Sequence, residues 1–192
     1  VHALNQKVHF DLETKITPDK LIRGLNSLLP NDIYVKDVKE VPEDFHARFS
    51  AIGKEYIYKL NMGEYNPLER NYVFQYNYHL NVEKMKDGIQ YLLGEHDFRS
   101  FVTENKEKEN CVRTISTATV EKINNDIIKF TFTGNGFLRY QIRNMVGILI
   151  RVGEEKESPE YVEKFLNKKD RSAGGKTAPA EGLYLTNIKY KK

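Results

Sequence analysis

The sequence predicts an α+β protein, in which helices pack on an antiparallel or mixed β-sheet. Some segments carry apolar residues at the three- and four-residue spacing of a helix, whereas others alternate apolar and polar residues as strands do. The order of the segments mixes strand–helix units with a hairpin, which favours neither an all-parallel sheet nor a helix bundle. With 192 residues, 40% of them apolar, the chain can bury one sizeable core.

The composition narrows the classes of function. No segment approaches the apolar length of a membrane span, and none within these residues has the anatomy of a signal peptide. Cys111 is the only cysteine, so an internal disulfide is impossible, and a cytoplasmic location is expected. The net charge of +3 is mild. Lysines and arginines near aromatic residues favour an anionic partner such as RNA, although an ordinary lysine-rich surface explains the same charge.

The first part of the chain is predicted to hold a helix between strands. The chain begins at Val1 without a methionine, and residues 7–12 are interpreted as a strand already under way. Thr17, followed by a proline, is a suitable N-cap for a helix that ends at Pro30. Residues 32–41 alternate in polarity and predict a further strand.

A long strand is predicted over residues 47–60. Its apolar positions change from odd to even numbers at Gly53, which indicates a β-bulge, because one extra residue exchanges the two faces of a strand. On one strand, Arg48, Lys54 and Tyr56 would suit RNA, with cations for phosphates and an aromatic face for a base. The alternative is a strand whose tyrosines are half-buried packing residues.

Further elements follow from helical periodicity, capping residues and a turn signal. They are a helix from Asn81 to Gly94, two hairpin strands at 112–123 and 127–136, a helix over about 138–151, a short helix from Ser158 and a last strand at 182–190.

Two arginines mark the helix over about 138–151. Arg139 and Arg143 are four residues apart, and like charges at this spacing cost on the order of a few tenths of a kcal/mol, which a nearby anion would reverse. Arg143 also borders the apolar stripe of the helix, where a guanidinium suits a carboxylate or a phosphate. The alternative is a pair of solvated arginines lying along the helix.

Other stretches with reactive residue types carry less information. The segment around Gly175 lacks the glycine of a phosphate-binding loop, because Asp170 stands at that position. The five histidines have no metal-ligand spacing, so no metal and no cofactor are expected. His96 and Asp97, together with the glycine turn at 134–136, leave open a third possibility, a small-molecule enzyme.

Seven segments resemble, in order, those of the tRNA pseudouridine synthases of the TruA type. They are "VHALNQKVHF", "GLNSLLPNDIYV", "FHARFSAIGKEYIY", "GEHDFRSF", "RTI", "GNGFLRYQIRNMVG" and "APAEGLYL". The resemblance implies a two-lobed fold, in which two similar α+β halves share a sheet. Residues 1–45 would be the remainder of the N-terminal half, and residues 46–192 the complete C-terminal half.

The resemblance also implies an activity, the isomerisation of uridine to pseudouridine in the anticodon stem-loop of tRNA, at positions 38–40. The implied partners are tRNA and, in the full-length protein, a second copy of the chain. In the family, the segment that leads into "VHA" reads Gly-Arg-Thr-Asp-Ala-Gly, and its Asp is the nucleophile. We therefore expect this chain to be a truncated form that lacks the nucleophile and is inactive alone.

Residue roles follow from the resemblance by position. Tyr56 would lie against the target base, Leu183 would line the base pocket, and Arg143 would pair with the catalytic Asp. Arg48 would have a phosphate-binding or structural role. We expect Arg143 in a concave site near Tyr56 and Leu183, without a carboxylate partner from this chain. A non-catalytic RNA-binding module is the alternative function.

Overall fold

The computed structural model describes residues 1–102, 110–172 and 174–191. The chain divides into two compact units, one formed by Val1–Gln6 with Ala51–Lys192 and the other by Lys7–Ser50. In the part of the chain that the structure describes, no helix is long and apolar enough to cross a membrane. The assignment of residues 1–45 and 46–192 to the two halves of the family fold stays a prediction.

The larger unit is built on a seven-stranded sheet. The strands are β1 His2–Ala3, β2 Ala51–Asn61, β3 Phe74–Gln75, β4 Gly94–Asp97, β5 Val112–Lys122, β6 Ile127–Gly134 and β7 Leu183–Tyr190. Their order in the sheet is β1-β7-β2-β6-β5-β4, with β3 beside β2. The β1–β7 and β2–β3 pairs are parallel and the other pairs antiparallel, which confirms the predicted mixed sheet.

Three helices of the larger unit share one apolar core with this sheet: α2 Val82–Gln90, α3 Gln141–Gly153 and α4 Tyr161–Lys168. Capping explains where α2 begins, because the Asn81 side chain accepts a hydrogen bond from the Lys84 backbone N–H. The chain turns away from α2 at Gly94, whose φ of +97° favours glycine. α2 thus begins after Asn81 as predicted, but it ends at Gln90, four residues before Gly94, which is the first residue of β4.

The core lies between the helices and one face of the sheet. On β6, Ile128, Phe130 and Phe132 are fully buried and the residues between them are half-buried, which is the two-residue period of a strand with one face in the core. Nearly every residue of α3 is buried, so this helix is the central one. Burying each aromatic or aliphatic side chain in this layer contributes about 1.5–3 kcal/mol.

The predicted bulge in β2 is confirmed. Ala51 pairs with Tyr190 and Gly53 pairs with Lys189, so β2 has one extra residue, Ile52, that has no partner on β7. The residue between them, Ile52, is about half exposed. From Gly53 onward the even-numbered side chains of β2 point to the helix-covered face of the sheet, as the change in alternation predicts.

The smaller unit contains one helix, α1 Pro18–Leu28, which begins after Thr17 as predicted. The predicted strands at 7–12 and 32–41 are wrong, because neither segment pairs with a strand. Val35 instead exchanges two hydrogen bonds with the Asn26 side chain, at 2.7 and 3.0 Å. A side-chain amide thus supplies the pairing that a neighbouring strand would supply, and alternation alone does not make a strand.

The predicted strand over 47–60 is wrong in its first four residues, and the placement of Arg48 on it is corrected. The chain turns at His46, because the backbone N–H groups of Arg48 and Phe49 donate to its Nδ1 at 3.1 and 3.2 Å. The Ser50 backbone N–H also donates to the His46 carbonyl at 2.8 Å. Arg48 therefore belongs to an exposed turn of the smaller unit and is not a residue of β2, the strand that carries Tyr56.

Candidate functional site

One wall of the candidate site is formed by β2 and β7. Tyr56 and Tyr58 are two residues apart on β2 and so share its helix-covered face, and Leu183 is the register partner of Tyr58 on β7. The half-buried Tyr56 ring meets the Phe137 ring edge to face, with 5.5 Å between their centroids. Burial raises the pKa of the Tyr56 hydroxyl. Within the described residues this hydroxyl makes no hydrogen bond.

Tyr58 anchors the loop that borders this wall. Its ring is fully buried, and its hydroxyl donates a hydrogen bond of 2.8 Å to the Pro179 carbonyl. Burial raises the pKa of Tyr58 strongly, the charge of Glu181 adds to this, and the nearby Arg143 cation opposes it. Tyr58 therefore stays a neutral donor. The sequence analysis did not predict that Tyr58 anchors this loop. The signal in the sequence is a second tyrosine two residues after Tyr56, which places both rings on the same face of the strand.

The first turn of α3 supplies the cation of the site. The Nε of Arg143 donates to the Ala178 carbonyl at 2.6 Å, and the Ala178 N–H donates to the Arg143 carbonyl at 3.1 Å. The Arg143 guanidinium also lies 5.2 Å from the centroid of the Tyr140 ring. Tyr140 adopts a left-handed conformation, with φ of 64°, directly before the helix. Backbone, ring and loop thus fix the direction of the Arg143 side chain.

The predicted pairing of Arg139 and Arg143 along one helix is wrong, because α3 begins at Gln141 and Arg139 precedes it. Both guanidinium groups instead lie beside one ring, with the Arg139 group 5.1 Å from the Tyr140 centroid. Since Arg139 is exposed and Arg143 is half-buried, the two cations have different surroundings despite the shared ring.

The terminal nitrogens of Arg143 are available to an anion. Among residues 1–102, 110–172 and 174–191, no carboxylate lies within ion-pair distance of this guanidinium. Its nitrogens are also absent from the buried groups that lack a hydrogen-bond partner, so water can reach them. Arg143 therefore combines an oriented Nε with two terminal groups that suit a carboxylate or phosphate.

Three of the four predicted site residues belong to one arrangement. Arg143 and Tyr58 donate hydrogen bonds to the carbonyls of the consecutive residues Ala178 and Pro179. Leu183 is paired with Tyr58 on the neighbouring strand, and Tyr56 lies two residues before Tyr58 on the same strand. The fourth predicted residue, Arg48, belongs to the smaller unit, where its guanidinium lies 5.5 Å from the Phe49 ring centroid. The roles assigned to all four residues stay predictions.

The loop over residues 175–178 packs directly on α3. A Cβ atom at Gly147, in the middle of the helix, would lie 2.1 Å from the Lys176 carbonyl oxygen. Only a glycine permits this close approach of the loop to the helix. Two residues later in the loop, the Ala178 carbonyl reaches Arg143. The helix surface therefore sets the position of the Ala178 carbonyl.

His96 and Asp97, the residues that left a small-molecule enzyme open, serve the fold. His96 Nε2–H donates a hydrogen bond of 2.7 Å to the Leu93 carbonyl. Asp97 accepts a hydrogen bond of 3.1 Å from the Arg99 N–H, and its carboxylate lies 3.9 Å from Lys169 Nζ. As neighbours on β4 they point to opposite faces of the sheet, so they do not form an acid–base pair.

A groove lies at the end of α3 opposite Arg143. Its lining residues are Tyr76, Tyr78, His79, Glu154 and Lys156. Burial raises the pKa of Glu154, but hydrogen bonds from Tyr76 and Lys156 outweigh burial and leave this pKa lowered. The groove contains none of the predicted site residues. Across the described ranges, no group of three His, Cys, Asp or Glu residues is arranged to hold a metal ion.

The chain is similar in sequence to known proteins of one family. A family model described as tRNA pseudouridine synthase matches residues 89–191. The tRNA pseudouridine synthase A of Limosilactobacillus reuteri is 44% identical over 193 residues, which cover 99% of this chain and 75% of the relative. The proteins of the same name from Anoxybacillus flavithermus and an Exiguobacterium species are 42% and 43% identical, and the match covers 77% of each. The chain thus spans about three quarters of the length of these relatives.

Proposed function

We propose, from the premise that this chain belongs to the tRNA pseudouridine synthase family, that it carries the uridine-binding pocket of an isomerase that makes pseudouridine in tRNA. The observation that carries the proposal is the state of Arg143. Its guanidinium is oriented by the Ala178 carbonyl and the Tyr140 ring, and its terminal donors are open to an anion. On the adjoining strands lie the half-buried Tyr56 and Leu183, the register partner of Tyr58, and in this proposal they hold the flat base.

The reaction needs a pocket of this kind. Isomerisation breaks the bond between N1 of uracil and C1′ of ribose, forms a bond between C5 and C1′, releases the C5 proton and leaves a proton on N1. The detached base must turn without leaving, so an aromatic face and an aliphatic wall have to hold it and exclude water. The family resemblance assigns the nucleophile to an aspartate, and a nearby guanidinium keeps a carboxylate ionised.

The proposal extends to the RNA substrate and to the oligomeric state of the protein. The substrate is the anticodon stem-loop, a folded RNA of the kind that proteins recognise by shape and phosphate contacts. The active protein is a homodimer in the cytoplasm, where tRNA is modified. The net charge of +3 and the basic side chains of β2 and α3 support an RNA partner.

Release of tritium from tRNA that carries [5-³H]uridine tests the activity, because the C5 proton leaves during isomerisation. The protein is expressed from its full open reading frame, and release above the level without protein is expected. Binding of tRNA without tritium release would contradict the proposal and favour the alternative, a non-catalytic RNA-binding module.

Tyr56 is expected to act through its ring. Tyr56→Ala removes one stacking face and should weaken tRNA binding or turnover by about 1–3 kcal/mol. Tyr56→Phe should stay near wild type, because the hydroxyl has no hydrogen bond among the described residues. Filter binding and tritium release measure both variants. Tyr65→Ala, at an exposed tyrosine outside the site, is the matched control.

Equal behaviour of Tyr56→Ala, Tyr56→Phe and wild type would contradict the Tyr56 prediction. Tyr56 would then be a packing partner of Phe137 and no more. Thermal unfolding of each variant separates a lost contact with RNA from a lost fold.

Binding of tRNA should weaken steeply with salt, since phosphate contacts release counterions. Filter binding between about 50 and 200 mM salt gives the slope of log K against log salt. Arg48→Met should reduce this slope by about one if the exposed Arg48 guanidinium contacts a phosphate. Affinity that does not change with salt would contradict an RNA-binding surface, and an unchanged slope in Arg48→Met would remove Arg48 from it.

A further inference from the structure

Within the described residues, a second arginine, Arg171, forms its hydrogen bonds with neutral oxygens. Its Nη2 lies within hydrogen-bond distance of the Asn144 Oδ1 at 3.1 Å, the Gly175 carbonyl at 2.9 Å and the Thr177 Oγ1 at 3.2 Å. In the portion of the chain that the structure covers, no carboxylate lies within ion-pair distance of it. Its Nε is buried without a hydrogen-bond partner. A partly buried cation without a counter-charge is costly, so its retention calls for a reason.

The partners of Arg171 lie next to the pair that orients Arg143. Asn144 follows Arg143 on α3, and Thr177 precedes Ala178 on the loop. The Thr177 hydroxyl donates to the Asn144 Oδ1 at 2.6 Å, and the Asn144 amide donates to the Phe101 carbonyl at 2.7 Å. Arg171 therefore closes a network that joins the helix and the loop one residue away from the bond between Arg143 and Ala178.

We propose that Arg171 is a positioning residue for Arg143, which it serves by holding the loop over residues 175–178 on α3 so that the Ala178 carbonyl orients the Arg143 guanidinium. Arg171 does not touch the base or the ribose in this role. The inference rests on the proposed function for its catalytic consequence. Its structural part, the dependence of the Arg143 hydrogen bond on Arg171, is independent of any activity.

The NMR signal of the Arg143 Nε–H group tests the structural part. The signal is assigned by its loss in Arg143→Lys, and its hydrogen exchange is measured in wild type and in Arg171→Met. Loss of one oriented hydrogen bond should speed exchange about tenfold. Arg70→Met is the matched control, because Arg70 is exposed and, in the part of the chain that the structure describes, donates only to the nearby Pro67 carbonyl. Unchanged protection in Arg171→Met would overturn the inference.

Kinetics on tRNA test the catalytic part. Arg171→Met should lower kcat at least about tenfold while KM changes less than about twofold, since a small misplacement of a reacting group is costly. In an Arg143→Lys background the same change should cost little more, because the group that it positions is gone. A lowered melting temperature with an unchanged kcat would make Arg171 a structural residue only and overturn the inference.

Thr177→Val replaces Arg171→Met as the deciding variant if the latter does not fold. It keeps the shape of the side chain and removes the hydroxyl that bonds to both Asn144 and Arg171. The same faster exchange at Arg143 Nε is expected, and unchanged exchange would overturn the inference. Wild-type protein that does not isomerise uridine would instead contradict the proposed function, and the exchange measurement would still decide whether Arg171 positions Arg143.

Discussion

Arg143→Met is expected to reduce the isomerisation of uridine in tRNA by about 100-fold or more, the effect of removing one oriented electrostatic donor from an active site. Methionine keeps much of the length and apolar character of the arginine stem, so packing against α3 is largely retained. What is lost is the guanidinium that Ala178 and Tyr140 orient and whose terminal nitrogens face no carboxylate within the described residues. Tritium release from tRNA that carries [5-³H]uridine measures the loss.

Two further variants serve as controls for Arg143→Met. Arg143→Lys keeps the positive charge and should recover only part of kcat. A single ammonium group cannot both donate to the Ala178 carbonyl and present two further N–H donor groups in one plane, as a guanidinium does. Arg139→Met removes the exposed guanidinium beside the same Tyr140 ring and should leave kcat near wild type. Equal losses in Arg139→Met and Arg143→Met would mean that charge alone matters, and full activity of Arg143→Met would remove this residue from the mechanism.

Gly147→Ala is expected to destabilise the fold by about 1–3 kcal/mol, the usual cost of forcing an extra group into a packed interior. The new methyl group would lie 2.1 Å from the Lys176 carbonyl oxygen, so either the loop or α3 must move. Thermal unfolding should show a melting temperature lower by about 2–4 °C for each kcal/mol lost. Because Ala178 is two residues beyond Lys176, the hydrogen bond to Arg143 should weaken as well.

Gly24→Ala is the matched control, since Gly24 also lies inside a helix. Apart from its chain neighbours and the backbone of its own helix, no heavy atom of the described residues lies within 4 Å of the position that its Cβ would take. Alanine should therefore stabilise the protein by about 0.5–1 kcal/mol through its helix propensity. If Gly147→Ala raised the melting temperature as Gly24→Ala does, the close packing of the loop on α3 would be contradicted.

Local features of the sequence predicted most elements of the larger unit. Asn81 and Gly94 bracket α2 and its final turns, because capping and a left-handed glycine are properties of a few neighbouring residues. Asn124–Asp126 marks the turn between β5 and β6 for the same reason. The change of alternation at Gly53 predicts the bulge, since the period of the side chains records which face is buried.

The wrong strand predictions came from segments that alternate in polarity but have no neighbouring strand to pair with. Residues 32–41 alternate as a strand does, yet Val35 pairs with the Asn26 side chain. Residues 47–50 continue the alternation of β2, yet the His46 ring accepts two backbone hydrogen bonds and turns the chain. A strand needs a ladder of hydrogen bonds as well as an apolar face, and the sequence pattern reports only the face.

By itself, the sequence determined the helices and hairpin of the larger unit, and through its resemblance to one family it named Tyr56, Arg143 and Leu183 as site residues. Only the tertiary structure decided that the Ala178 carbonyl orients Arg143 and that Arg171 ties the loop to α3. The physical reason is distance along the chain. Arg143 and Ala178 are 35 residues apart, and the acceptor is a backbone carbonyl that every residue possesses, so the close packing of a loop on a helix selects it and no local pattern can.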